Sequence, residues 1–349
     1  MDKKPILYVV LSATLFGLSS PVAKLLVKDI SPVALAGLLY LGAFMGLAIY
    51  TFGRKISTVK NQHVVSLEKR DFPWLFGAIA AGGIAAPISL MFGLRMISGF
   101  STSLFLNLEG IATAIIAILF FKENAGKQLW LALVCMTAAG VLLSWNTEQN
   151  QFNIAGPLLV TLACVCWGVD NNLTRHISDK DPTQIVMLKG LIAGAVSLSL
   201  AFSLGQGITF NTGILWALLL GALSYGLSLV LFIQALKGLG ASRTGVFYSA
   251  GPFIGALASI IILKEWLGWV MLPAVVLMIL GAWLITHEKH AHQHLHEAIT
   301  HEHMHRHDDP HHAHEHPEPV TAAHSHIHTH TALSHTHAHW PDIHHRHAH

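Results

Sequence analysis

Ionisable and amide side chains stand inside long apolar runs at several points of this chain. Glu109 follows Asn107 in one such run, and Asp170 and Asn171 close another. Lys189 lies in a third, Lys24 follows Pro21 in the first, and Gln234 and Tyr248 are set in two more. An ionised group at the centre of a bilayer costs about 2.5–3.5 kcal/mol on insertion scales, so each needs a reason. The chemistry these types can do is the handling of a proton or a charged solute. A carboxylate takes up a proton or a cation, a lysine needs an anionic partner, and amides and hydroxyls orient what lies between them. The structural alternative for Glu109 is a buried carboxylic acid hydrogen-bonded to a neighbouring helix. For Asp170, Asn171 and Arg175 it is a polar helix end with a snorkelling arginine. Lys189 has Asp170 or Glu109 as its natural partner.

A second concentration of chemistry lies at the other end of the chain. Residues 287–349 hold 24 of the 26 histidines. They are interspersed, as in the series His301, His303, His305, His307, His311, His312, His314 and His316, with Glu302, Asp308, Asp309 and Glu315 among them. Neutral imidazole with carboxylate suits Zn, Ni, Co or Cu better than Ca or Mg. The spacing is too redundant to single out one ligand set. The same stretch is also a pH-sensitive polycation, since about a quarter of unperturbed imidazoles are charged at pH 7. With few apolar residues, the tail is expected to be disordered without a ligand.

The elements that must position the first group are membrane helices. Charged residues make up 11% of the 349 residues, hydrophobic ones 52%, and mean hydropathy is +0.52. That is too little polar surface for a water-soluble fold, and the lipid bilayer is the expected surrounding. Ten candidate spans follow: 6–27, 32–52, 73–95, 101–121, 127–146, 154–174, 183–204, 213–236, 243–263 and 267–286. Cys135, Cys164 and Cys166 read as small packing residues. There is no Walker-type glycine loop, HExxH or GxSxG, and nothing basic enough to suggest nucleic acid. No enzyme activity and no required cofactor are expected. With the N-terminus in the cytoplasm, about fourteen Lys and Arg fall on the cytoplasmic side against about four outside. The positive-inside rule then puts both termini in the cytoplasm of a cell (inner) membrane.

Shifted by 142 residues, the chain lies on itself. Leu94 meets Leu236, Thr102 meets Thr244, Phe105 meets Phe247, and Lys122-Glu123 meets Lys264-Glu265. A shift of 151 sets Phe16-Gly17 on Trp167-Gly168 and Lys24 on Arg175. Five spans per half is an odd number, so the second half enters the membrane from the other side. This is the inverted repeat from which many secondary transporters build alternating access. Pro87 and Pro252 fall inside spans and are hinge candidates. Gly42/Gly46 and Gly251/Gly255 have the spacing of close helix packing, within the chain or, as the alternative, in a homodimer.

Over about residues 5–286 the sequence resembles the EamA branch of the drug/metabolite transporter superfamily. The resemblance rests on two sets of five spans and on the first-helix stretch Phe16-Gly17-Leu18-Ser19-Ser20-Pro21. It rests also on the block from Leu108-Glu109-Gly110 through Phe121-Lys122-Glu123, whose second copy runs from Ala250-Gly251-Pro252 through Lys264-Glu265. The family often has Glu-Pro in span 4; here the first copy keeps Glu109 and the second keeps Pro252. The resemblance implies an all-α membrane protein of ten transmembrane helices in two inverted five-helix repeats, 1–146 and 147–286, followed by the tail at 287–349. It implies a secondary transporter, often an exporter, of a small metabolite. A divalent transition metal is the other cargo the tail suggests. A membrane-anchored metal sensor or buffer without transport is the alternative from a different class.

Overall fold

The structure is a computed structural model of the chain. It describes residues 4–56, 67–121, 127–143, 145–146, 151–152, 154–177, 180–206, 212–239, 244, 247–265, 268–269, 271–286, 291–296, 299–305, 324–330 and 333–338. Among the described residues, ten apolar helices carry the fold. They are α1 (Lys4–Leu26), α2 (Pro32–Ile56), α3 (Lys69–Met96), α4 (Gly99–Phe120) and α5 (Lys127–Leu143) in the first half. The second half has α6 (Ala155–Arg175), α7 (Pro182–Ser203), α8 (Thr212–Ala235), α9 (Gly251–Leu263) and α10 (Met271–Thr286). Six of them, α1 to α4 with α7 and α8, are long and apolar enough to cross a membrane. Stretches of α5, α9 and α10 are shorter apolar helices. α6 is 21 residues long and carries Asp170 and Arg175 in its second half.

Local signals set the helix ends. Asp181 caps α7 by accepting from the Thr183 amide, with Pro182 in the first turn. Ser98 caps α4 by accepting from the Ser101 amide. Two expected spans end differently. The run expected over 127–146 stops as a helix at Leu143, and Trp145–Asn146 (β1) pairs with Gln151–Phe152 (β2) in a short hairpin. The run expected over 243–263 is interrupted: Phe247 and Tyr248 are helical, Ser249 and Ala250 form a turn, and α9 starts at Gly251. Pro252 explains the restart, since it fits a first helical turn, where its missing N–H needs no partner. Large apolar side chains that face outward, among them Ile49, Leu119, Phe120, Leu215 and Trp216, give the bundle a lipid-compatible surface.

The packing obeys the repeat. α2 packs on α7, α4 on α9 and α5 on α10, each pair being equivalent positions of the two halves. α3 packs on α6, and its mirror pair α8 packs on α1; α4 packs on α6, and its mirror pair α9 packs on α1. The close approaches are mirrored too. A Cβ on Gly17 would run into the carbonyl of Gly251, and one on Gly168 would meet the backbone of Ala112 and Thr113 at 2.9 Å. Between helices in lipid, small residues and close backbone contact replace the hydrophobic effect as the driving force. Both GxxxG pairs make contacts inside the chain: Gly42 and Gly46 face Leu218 and Ala222 of α8, and Gly251 and Gly255 face Ala13 and Gly17 of α1.

Irregular backbone also repeats. α3 contains a π-helical segment at Ile79–Ala85, and α8 contains one at Gly221–Leu227, 142 residues on. α4 is broken by a turn at Leu106–Asn107, which the same shift sets beside the turn before α9. Irregular turns at matching places in two repeats leave backbone groups free to line a site between them.

The described parts of the tail are four short strands. Ala291–His296 (β3) pairs antiparallel with Leu333–Ala338 (β6), and Ile299–His305 (β4) with His324–His330 (β5). The reason is in the pattern: His-x-His alternation has the two-residue period of a strand. The register sets His301, His303 and His305 opposite His328, His326 and His324. His307, His311, His312, His314 and His316 lie outside the described residues.

Candidate functional site

A cavity opens between the two halves, at the level of the broken helices. Its lining includes Glu109 of α4, Asp170 and Asn171 of α6, Lys189 of α7, and Tyr248. These helices come from both halves, so relative motion of the halves must reshape the cavity. Val186 and Lys189 lie in the first two turns of α7, toward the side that carries the N-terminus. The opposite side is filled by buried Val27, Ile30, Leu94, Phe100 and Leu104.

The charged centre is a buried ion pair. Lys189 Nζ donates to Asp170 Oδ2, with side-chain exposures of 12% and 7%. Asp170 Oδ1 accepts from Thr174 one turn along α6 at 3.0 Å. The pair is held in place from behind, because α3 presents Gly82 to Asp170 and any Cβ there would collide with the carboxylate. The Gly82 carbonyl lies in the π segment, where the regular hydrogen-bond ladder is broken. It accepts from the Tyr40 hydroxyl at 2.6 Å and from Trp167 Nε1 at 3.1 Å. Those two donors tie α2 and α6 to the irregular turn of α3.

Glu109 is the second charged group. Its Oε1 accepts from Asn171 Nδ2 at 3.0 Å, and the same amide reaches Thr113 Oγ1 at 3.1 Å. Asn172 fixes the same seam by donating to the Thr113 and Gly168 carbonyls at 3.0 and 2.8 Å. Glu109 is half-buried, and among the described residues no cation is paired with it. Across the cavity, Tyr248 packs on Phe16 and Phe232 with ring centroids 5.6 and 4.6 Å away, and Tyr40 packs on Tyr225 at 5.6 Å. Ser228 and Ser12 exchange hydrogen bonds along the α1–α8 seam, at 2.7 Å from Ser12 Oγ and 3.0 Å from Ser228 Oγ. The arrangement is a carboxylate, a compensated ion pair, an amide and an aromatic wall. It can hold a proton on Glu109, or the positive end of a solute whose body lies against the rings.

The structure brings together Glu109, Asp170, Asn171, Lys189 and Tyr248 of the residues singled out from sequence. It places three elsewhere. Asn107 is buried at the α4 turn and donates to the Leu104 carbonyl at 3.0 Å. Gln234 is half-buried on α8, away from the lining. Lys24 lies toward the far side, donating to the carbonyls of Leu94 and Ile97 at 2.5 and 2.7 Å. Pro87 follows the π segment of α3 and Pro252 opens α9, so both sit at irregular points. Sequence reading missed Phe16, Tyr40, Trp167 and Gly82. The 151-residue shift set Phe16 on Trp167, which marked both; nothing marked Gly82, whose role depends on the π segment.

Comparison with known proteins fits this geometry. The EamA-like transporter family matches the chain twice, over residues 3–145 and 154–287. An uncharacterized transporter of Methanothermobacter thermautotrophicus is 25% identical over 269 residues, which span 73% of this chain and 78% of that one. One from Archaeoglobus fulgidus is 22% identical over 285 residues, 80% of this chain and 97% of its own length. An uncharacterized protein of Pseudomonas aeruginosa is 30% identical over 169 residues, 48% of this chain and 58% of its own. A protein known from a crystal structure shares the fold with a TM-score of 0.58 at 16% identity, over 79% of this chain and 94% of that one.

Proposed function

Since the chain belongs to the EamA-like transporter family, we propose that it is a secondary transporter that exports a small organic solute carrying a positive group. The observation that supports this is the different standing of the two carboxylates in one cavity. Asp170 is compensated by Lys189, whereas Glu109 has only the Asn171 amide. The cavity therefore has one carboxylate left over, which takes either a proton or the ammonium of a solute. Alternating access between the two five-helix halves would carry that charge across. The charge count of the loops supports a cytoplasmic N-terminal side, and with it a cytoplasmic cavity mouth.

The tail, in this reading, binds Zn, Ni, Co or Cu and regulates or feeds the transporter. The core disfavours a bare divalent metal as cargo. Among the described residues no three His, Cys, Asp or Glu side chains come together. Asp170 is also already engaged with Lys189.

The test compares cells that express the full chain, a chain ending at Thr286, or Glu109→Gln. Each is measured for metal content by elemental mass spectrometry and for loss of amine solutes. The full chain and the chain ending at Thr286 should both lower a cationic solute, and Glu109→Gln should not. Unchanged export by Glu109→Gln would remove the assignment of that carboxylate. A fall in one metal that needs Glu109 would make the metal the cargo. Retained metal that tracks the tail, with no solute lowered by any of the three chains, would leave only a sensor or buffer.

A further inference from the structure

The corner that joins α3 to α4 lies on the side away from the cavity, and it is held from both ends by charges of opposite sign. Glu265, which follows α9 in the second half, accepts from the Gly99 amide with Oε1 and from the Phe100 amide with Oε2, both at 2.8 Å. Ser98 Oγ takes the next amide, that of Ser101, at 3.0 Å. The N–H groups at the start of α4 that have no partner within the helix are thus satisfied by a carboxylate that belongs to the other half of the molecule. At the end of α3, Lys24 of α1 takes the carbonyls of Leu94 and Ile97. A carboxylate at a helix start and an ammonium at a helix end each oppose the local helix charge, so both contacts are favourable.

Glu265 is aimed by an uncommon backbone. α9 ends on Lys264, which has φ 53° and is the non-glycine residue with positive φ among those described. A left-handed residue turns the chain sharply after the last helical turn and brings Glu265 back over α4. The contact is tight: a Cβ on Gly99 would meet Leu263 Cδ1 at 2.6 Å and Ser259 Oγ at 3.0 Å, both of α9.

We propose that Glu265, with Lys24, is the latch that holds the α3–α4 corner against α9 and keeps the side opposite the cavity closed, so that its release is a required step of the transport cycle. These are positioning residues; neither lines the cavity. The inference rests on the reading that the two halves alternate. The Glu265 contact joins the two halves and must break for the closed end to open, and a single carboxylate on two amides can be broken without unfolding a helix; the Lys24 contact lies within the first half and holds the end of α3 in place for it. Water can take over both amides and the carboxylate once the corner opens, which makes the contact reversible.

The test reads the two sides separately and needs no substrate. The full chain, with Cys135, Cys164 and Cys166 changed to alanine, is solubilised in detergent, and one reporter cysteine is introduced at a time. Ser103→Cys reports the closed side, where Ser103 is 1% exposed. Val186→Cys reports the cavity side. Adding Glu265→Gln should raise the rate of thiol labelling at Ser103→Cys about tenfold and lower it at Val186→Cys. Lys24→Gln should shift both in the same directions, and it tests the corner again should Glu265→Gln fail to fold. A purely structural contact would instead loosen both sites together. No change at either reporter, or faster labelling at both, overturns the latch. A chain that shows the opposed shifts but moves no solute would refute the transport reading alone; a chain that transports without them would refute the latch alone.

Discussion

Removing one member of the Asp170–Lys189 pair should cost more than removing both. The two side chains are 7% and 12% exposed, so water screens them little. For an ion pair in contact at an effective dielectric near 20, the attraction is about 4 kcal/mol. Taking two ions out of water offsets several kcal/mol of that. Asp170→Asn alone removes the attraction and leaves the ammonium uncompensated, which costs about 3–5 kcal/mol. Lys189→Met alone leaves the carboxylate in the same position. At roughly 2 °C per kcal/mol for a domain of this size, each single variant should melt about 6–10 °C lower. Asn is the right replacement because it keeps the shape that fits against Gly82 and can still accept from Thr174. The double variant Asp170→Asn with Lys189→Met has no uncompensated charge and should melt within about 4 °C of the parent. Unfolding would be followed in detergent by fluorescence of the native tryptophans, at a fixed scan rate. If the losses simply add in the double variant, the two groups do not interact and the account of the charged centre is wrong. Solute transport in the same four proteins gives a second reading. A double variant that is stable but inactive places the pair in the transport step, and one that regains both shows a purely structural pair.

Two further outcomes follow from the backbone. Gly168→Ala places a methyl against the backbone of Ala112 and Thr113, with no flexible side chain to yield, and should destabilise by about 1–3 kcal/mol; equal melting temperatures for the variant and the parent would mean that α4 and α6 are not in the contact described. Lys264→Gly keeps the left-handed turn at a residue that suffers no Cβ clash there, and should stabilise by about 1 kcal/mol in thermal unfolding, whereas a loss of stability would show that the lysine side chain contributes more than its backbone costs.

Much of the fold is legible in the sequence because bilayer thickness fixes helix length, and a polar break ends each apolar run. The equivalence of helices in the two halves was legible in the Lys-Glu landmarks at Lys122-Glu123 and Lys264-Glu265, but which helices pack together was not. The polar centre was legible for Glu109, Asp170, Asn171 and Lys189, since a charge in an apolar run has few other reasons to be there. The pairing of Lys189 with Asp170 rather than Glu109 was left open, because it depends on the rotation of α6 and α7 about their axes. Lys24 and Asn107 looked equally conspicuous, yet both satisfy backbone carbonyls outside the cavity. Composition cannot separate a side chain that serves a solute from one that serves the chain. The π segments at Ile79–Ala85 and Gly221–Leu227 were not legible either, since Ala, Gly and Ile form π and α turns from the same residue types. The Tyr40 and Trp167 donors that meet on Gly82 depend on that irregularity and were missed with it.

The mirrored packing has a consequence for how the protein is made. α1 finds its main neighbours in α8 and α9, and the hydroxyls of Ser12 and Ser228 that join the first two are 216 residues apart in the chain. At about 5–20 residues per second, a ribosome needs roughly 10–40 seconds to supply the second serine after the first. Through that interval α1 is in the bilayer without the helix that will cover its serines. α6 meets the reverse situation, because α3 and α4 are already there when it enters. Insertion is therefore asymmetric in time although the finished molecule is nearly symmetric in space. The first half must wait in lipid as a set of open polar seams, and the second half closes them one helix at a time as it leaves the translocon.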